Sequence, residues 1–132
     1  MAKVGGGESG EMAAEGTVLV VDDDSSMRFL LKVVLEDAGF AVVEAAHGAA
    51  ALRCVSESDL KLVITDQTMA VMDGGELIRR LRADPETARL PILMLSSSPD
   101  YGAGADAVLT KPFAVAELSE VVASLTGTAG MP

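Results

Sequence analysis

Short apolar runs alternate with longer amphipathic stretches from Thr17 almost to the end of the chain. Val18-Leu19-Val20-Val21, Leu62-Val63-Ile64-Thr65 and Ala107-Val108-Leu109-Thr110 are rich in β-branched residues, as strands covered on both faces are. Between such runs, apolar residues recur at helical spacing. Met27, Leu30, Leu31, Val34, Leu35 and Ala38 mark one face of a helix over 25–38, opened by Asp24 or Ser25 and closed by Gly39. The full pattern predicts strands at 17–22, 41–45, 60–66, 91–96 and 106–110. Further helices are expected at 49–57, at 75–83 with Leu77, Ile78 and Leu81 inward, and at 114–125 with Leu118, Val121, Val122 and Leu125 inward. Strands alternating with helices imply an α/β fold: a parallel sheet with right-handed crossovers and helices on both faces.

One connection departs from the pattern. Only residues 97–105 separate Ser96 from Asp106, and Pro99, Gly102 and Gly104 fall among them. A parallel crossover with its helix needs at least about 10–12 residues. Proline and glycine also disfavour helix, so the fourth helix is expected to be shortened or absent.

Composition narrows the function classes. A chain of 132 residues, 49% hydrophobic and 23% charged, forms one globular domain with its own core. Its net charge of -10 and pI near 4.4 argue against nucleic acid or an anionic membrane as the main partner. Cys54 is the only cysteine, which permits no internal disulfide and fits a reducing cytoplasm. No apolar stretch reaches membrane-spanning length. Residues 1–16 read as a flexible leader without the features of a signal peptide, 17–126 as the domain, and 127–132 as a flexible tail.

The polar residues that end the strands carry the chemistry. Asp22-Asp23-Asp24 follow the first strand, Asp66 ends the third, Ser96 the fourth, and Lys111-Pro112 follow the fifth. In an open α/β sheet the carboxyl ends of the strands share one edge, where ligands bind. These residues would thus form an acidic pocket with a lysine at its rim. Such a pocket suits Mg²⁺, which takes hard oxygen ligands, and a phosphoryl group. Crowded carboxylates raise one another's pKa unless a cation offsets them. Asp66, central at the end of its strand, is the candidate nucleophile for an acyl phosphate. Lys111 and the Ser96 hydroxyl would then meet the phosphoryl charge.

Plainer roles compete at several positions. Asp24 can simply cap the next helix, and a lysine at a strand end can be solvated. His47 reads as a turn residue before the second helix, and Cys54 as core or boundary packing. Met69, Met72 and Met94 read as core and loop filler, and Glu86 to Arg89 as a solvated charge cluster. Tyr101, the only tyrosine, either covers the sheet edge or meets a partner.

VLVVDDD at 18–24, DQTMAVMDG at 66–74, LPILMLS at 90–96 and TKPF at 110–113 together resemble the receiver domain of bacterial two-component response regulators. The resemblance covers about 17–126. It implies a five-stranded flavodoxin-like sheet of strand order 2-1-3-4-5, a three-layer sandwich. It also implies that Asp66 is the phosphoacceptor and that Mg²⁺ is held by Asp22, Asp23, Asp66 and the backbone carbonyl of Thr68, with Asp23 a direct ligand and Asp22 working more through water. Ser96 matches the switch hydroxyl, Lys111 the lysine that contacts the phosphoryl group, and Lys111-Pro112 a cis peptide. The implied phosphoryl donor is phosphohistidine on a sensor histidine kinase or phosphotransfer protein. The domain would catalyse only its own phosphorylation and dephosphorylation. Thr68 and Ser98 flank the site without an acid or amide side chain to orient water, which implies slow to moderate hydrolysis.

Three departures from the family pattern bear on output. Ala70 stands where proline is common, Val108 where an aromatic ring commonly moves with the switch hydroxyl, and the crossover after Ser96 is short. The leading reading is therefore a stand-alone phosphorylatable receiver with an atypical output face. A constitutive binding module of the same fold is the alternative. A remoter one is a phosphohydrolase of the haloacid dehalogenase class, since Asp22-Asp23-Asp24 contains an Asp-x-Asp. That reading gives Asp66 no role and finds only Glu117 and Glu120 after Lys111.

Overall fold

A computed structural model describes residues 15–57, 59–69, 72–98 and 104–127. Five strands occur among these residues: β1 (Thr17–Val21), β2 (Ala41–Ala45), β3 (Leu60–Asp66), β4 (Ile92–Ser96) and β5 (Ala107–Thr110). All neighbours pair in parallel, in the order β2-β1-β3-β4-β5. Four helices occur among the described residues: α1 (Ser25–Asp37), α2 (Gly48–Glu57), α3 (Gly74–Ala83) and α4 (Val115–Thr126). Fold class and strand order are those the resemblance implied. None of these helices is long and apolar enough to cross a membrane.

The period of two along each strand divides the core. Val18, Val20, Leu62, Ile64, Leu93, Leu95 and Leu109 pack with Leu31 and Leu35 of α1 and Leu118 and Val122 of α4. Leu19, Val21, Val63, Ile92 and Met94 pack on the other face with Ala51 of α2 and Leu77, Ile78 and Leu81 of α3. This layering follows from right-handed crossovers. The chain steps outward from β1 to β2, then back past β1 to β3, so the helices change face at that reversal. The gap between β1 and β3 is the switch point at which such sheets bind ligands.

Several local expectations need correction. Leu30 is not buried: with Phe29 and Val33 it lies exposed, because α1 has a wider apolar arc than the sheet can cover. Ala38 is exposed at the C-cap, and Val121 and Leu125 are half-buried. Asp24, not Ser25, caps α1 by accepting the Ser26 N–H at 2.9 Å. His47 does sit in the turn before α2, where its Nδ1 accepts the Ala50 N–H at 3.2 Å. Cys54 is half-buried against the second core. The 86–89 segment is not wholly solvated. Thr87 is buried, and its hydroxyl donates to the Leu81 carbonyl at 2.6 Å, which also accepts the Asp84 N–H at 3.3 Å at the end of α3.

No helix lies between β4 and β5 among the described residues. Residues 99–103, with Pro99 and Tyr101, fall outside them, as does Ala70. The described end of this crossover is tied to α3 by one side chain. Arg82 donates from Nε to the Gly104 carbonyl at 3.0 Å, and from Nη1 to the carbonyls of Ala88 and Leu90 at 3.0 and 2.7 Å. Its Nη2 meets Asp106 Oδ2 at 2.7 Å, and that oxygen also accepts the Ile92 N–H at 2.8 Å. A planar fork of five donors can serve such a set at once, whereas an ammonium cannot. Arg82→Ala should therefore lower the unfolding free energy by about 2 kcal/mol. Arg82→Lys should recover only part of it, and urea denaturation of the three proteins measures both effects.

Candidate functional site

Strand register brings the polar strand ends together. Val21 pairs with Thr65, Asp66 with Leu95, and Ser96 with Thr110, so Asp22 and Asp66 adjoin and Lys111 follows just beyond. The ladder continues past the strands. Asp22 N–H donates to the Ala45 carbonyl at 3.1 Å, Gln67 N–H to Leu95 at 2.9 Å, and Lys111 N–H to Ser96 at 2.7 Å. Side-chain alternation then sorts the residues. Asp22, Asp66 and Lys111 continue the series that faces α1 and α4, while Gln67 and Ser96 continue the series that faces α3.

Asp22 is 1% exposed. Its Oδ1 accepts the Asp24 N–H at 2.9 Å, while Oδ2 is buried with no hydrogen-bond partner among the described residues. Burial pushes the Asp22 carboxyl above its ordinary range. The Asp24 N–H opposes this, the negative charge of Asp66 adds to it, Lys111 opposes it, and Asp23 adds a little. Arg28 anchors the segment by donating from Nη1 to the Asp22 carbonyl at 2.6 Å and from Nε to Glu44 at 3.0 Å. Asp23 is exposed, and Asp22, Asp23 and Asp66 can each offer an oxygen within 4.8 Å of the others.

Asp66 is 8% exposed, and its Oδ1 receives Lys111 Nζ at 2.6 Å. Lys111 is thus paired with Asp66 and not wholly solvated. Thr68 lies exposed in the loop after β3. That loop is held from below by α3, whose Gly74 N–H donates to the Gln67 carbonyl at 2.9 Å. A Cβ on Gly74 would press into the Asp66 carbonyl and come within 3.1 Å of Met94 Cε and 3.2 Å of Gln67 Cα. Glycine is required there by close approach. Ser96 is buried, and its hydroxyl oxygen lies against Gln67 Oε1 and the Ser98 carbonyl while accepting the Ser98 N–H. Val108 is half-buried beside Met94, and the Lys111–Pro112 peptide is cis.

The expected Asp22, Asp23, Asp66 and Lys111 therefore meet at one point, with Ser96 on the adjoining strand facing the other way. Arg28, Gln67 and Gly74 were not anticipated. Gln67 and Ser96 share strand parity, a signal present in the sequence once the register is known. Arg28 carries no such signal, because its partners lie on two other segments. Hard carboxylate oxygens around an orphaned acceptor form a site suited to a divalent cation, beside a carboxylate already facing an ammonium.

The chain matches the family model for the response regulator receiver domain over residues 18–123. Chemotaxis protein CheY-3 of Vibrio cholerae is 37% identical over 111 residues, which cover 78% of this chain and 85% of that protein. Chemotaxis protein CheY1 of Helicobacter pylori is 34% identical over 120 residues, covering 84% and 97%. The crystal structure of response regulator TrrA of Thermotoga maritima in complex with Mg²⁺-BeF is similar with a TM-score of 0.76 at 30% identity, covering 83% of this chain and 98% of that one.

Two outcomes are expected of the site's architecture. Because the folded-state pKa of Asp22 is raised, its protonated form is favoured by folding, and that contribution is lost as pH rises through the raised value. In chelator at neutral pH, Asp22→Asn should therefore melt above the wild type. The advantage should shrink as pH falls toward the ordinary carboxylate range; a pH series of thermal melts checks it. Gly74→Ala should destabilise by about 1–3 kcal/mol through overpacking, read from chemical denaturation.

Proposed function

The chain belongs to the response regulator receiver domain family, and on that premise we propose that it accepts a phosphoryl group on Asp66 and relays this as a change in protein contacts. Receivers are signalling proteins of two-component systems rather than enzymes in the ordinary sense. The observation that carries the reading is the buried, unpartnered Asp22 Oδ2 beside an Asp66 carboxylate that already faces Lys111. Buried polar atoms are rarely left unsatisfied without a functional reason.

The donor set fits Mg²⁺. Asp22, Asp23 and Asp66 would hold it with the backbone carbonyl of Thr68, and the orphaned Asp22 oxygen is the acceptor such an ion would satisfy. When bound, the cation supplies positive charge against the carboxylates and the phosphoryl oxygens. This chain's own groups do the rest. An Asp66 carboxylate oxygen attacks phosphorus while the P–N bond of the donor phosphohistidine breaks, its electron pair leaving with the imidazole. The charge given up by the carboxylate neutralises the departing imidazole, which carries a proton on its other nitrogen, and the phosphoryl oxygens bring their own negative charge to Asp66. Lys111, fixed beside Asp66 by the chain following β5, stays within reach of that charge. The Ser96 hydroxyl can donate a hydrogen bond to a phosphoryl oxygen after turning toward it.

Residues 17–126 are the receiver unit of this reading. The donor is a histidine kinase or a histidine phosphotransfer protein, and the receiving partner is a protein. The short crossover between β4 and β5 gives the output face its individual character in this reading, since among the described residues Arg82 joins α3 to the segment before β5.

Incubation with acetyl phosphate and Mg²⁺, followed on a phosphate-affinity gel, tests the proposal. Wild type should shift, and chelator should abolish the shift. Asp66→Asn should not shift, and Lys111→Ala should label about a hundredfold more slowly. Label retained by Asp66→Asn but lost from Asp22→Asn would move the acceptor to β1 and sink this reading.

A further inference from the structure

We propose that Gln67 is a positioning residue that engages the Ser96 hydroxyl on the α3 side of the sheet, in competition with a phosphoryl group on Asp66. The inference rests on the phosphoacceptor reading and adds a residue to it. Ser96 is 1% exposed, so water does not compete for its hydroxyl. That hydroxyl has one proton and two acceptors against it, Gln67 Oε1 and the Ser98 carbonyl, the latter at 2.8 Å. A lone pair accepts the Ser98 N–H at 3.0 Å. The proton is thus already engaged by the protein, and donating it to a phosphoryl oxygen requires one of these acceptors to give it up.

Gln67 is built to hold and to release. Its N–H is fixed to the Leu95 carbonyl and its own carbonyl to the Gly74 N–H, each at 2.9 Å, so its backbone cannot follow Ser96. Its side chain is half-buried, which lets the amide turn to solvent when the hydroxyl leaves. Strand alternation sets the two competitors on opposite sides: Gln67 follows Asp66 directly and therefore points to the other face. Ser96, on the neighbouring strand, faces the same side as Gln67. Gln67 acts only through Ser96, and removing its acceptor should ease the hydroxyl toward Asp66.

Titration with beryllofluoride in Mg²⁺, followed by amide NMR, measures this. A net hydrogen bond corresponds to roughly a two- to tenfold effect, so Gln67→Met should bind beryllofluoride that much more tightly than wild type. Gln67→Leu should behave alike, which separates the lost acceptor from any effect of sulfur. Before any ligand is added, the Ser96 and Ser98 amide resonances should already move in both variants. In a Ser96→Ala background the gain should vanish, because a merely structural glutamine would act regardless of that hydroxyl. Unchanged affinity in Gln67→Met, or an equal gain with Ser96→Ala, overturns the inference and leaves Asp66 as acceptor. If wild type shows no beryllofluoride shift around Asp66, both readings fall together.

Discussion

Three carboxylates crowd one end of the sheet, and one of them, Asp22, is almost wholly removed from water. Two full charges about 5 Å apart repel by roughly 3 kcal/mol even at an effective dielectric of about 20. A single ammonium, Lys111, opposes this, and it touches Asp66 and not Asp22. Such an arrangement persists only where the backbone leaves the acids no retreat. β1 and β3 provide that, being central strands covered on both faces and paired along their length. Arg28 adds a second restraint by holding the Asp22 carbonyl while leaning on Glu44 of β2. The backbone holds Asp22 and Asp66 together at the centre of the sheet, so protonation of Asp22 or a cation is what relieves their repulsion.

The same economy of space governs the floor of the site. α3 begins directly beneath Asp66, and only the missing side chain of Gly74 permits that approach. The helix therefore reports on the loop after β3 without any intervening layer. Its other end reaches the β4–β5 crossover through Arg82, whose donors span Gly104, Ala88, Leu90 and Asp106. A single helix of ten residues thus touches both the acid site and the connection between β4 and β5.

What could be read from the sequence divides along a physical line. Runs such as Val18 to Val21 and Leu62 to Thr65 avoid water on both faces, so they declare themselves as central strands, and their acidic ends follow at once. Parity along those strands also contained the sorting of Asp66 with Lys111 and of Gln67 with Ser96, though only the register makes it usable. Arg28 with Glu44, and Arg82 with Asp106, left no such trace. A polar pair far apart in sequence is fixed by tertiary placement, and hydrophobic pattern says nothing about it. The exposure of Leu30 and the burial of Thr87 fail for the converse reason. Leu30 is one of several apolar residues that α1 offers to the sheet, and Thr87 is drawn in by the hydrogen bond its hydroxyl makes to Leu81.

The division of labour between the two faces limits how a switch here can work. Exchange of one hydroxyl between Gln67 and a phosphoryl oxygen involves a net hydrogen bond on each side, about 1 kcal/mol apiece. Such a swap shifts a two-state population by no more than about tenfold. Moving a population from one extreme to the other takes roughly 5.5 kcal/mol of differential binding. In the proposed switch Ser96 therefore selects the direction of the change and does not drive it. The larger share must come from the acid cluster, where repulsion of several kcal/mol is available for a cation and the phosphoryl charge to redistribute. Lys111 and Ser96 are joined by one backbone hydrogen bond of 2.7 Å at the ends of β4 and β5. Through it, electrostatic work on one face can be read as a hydrogen-bond choice on the other.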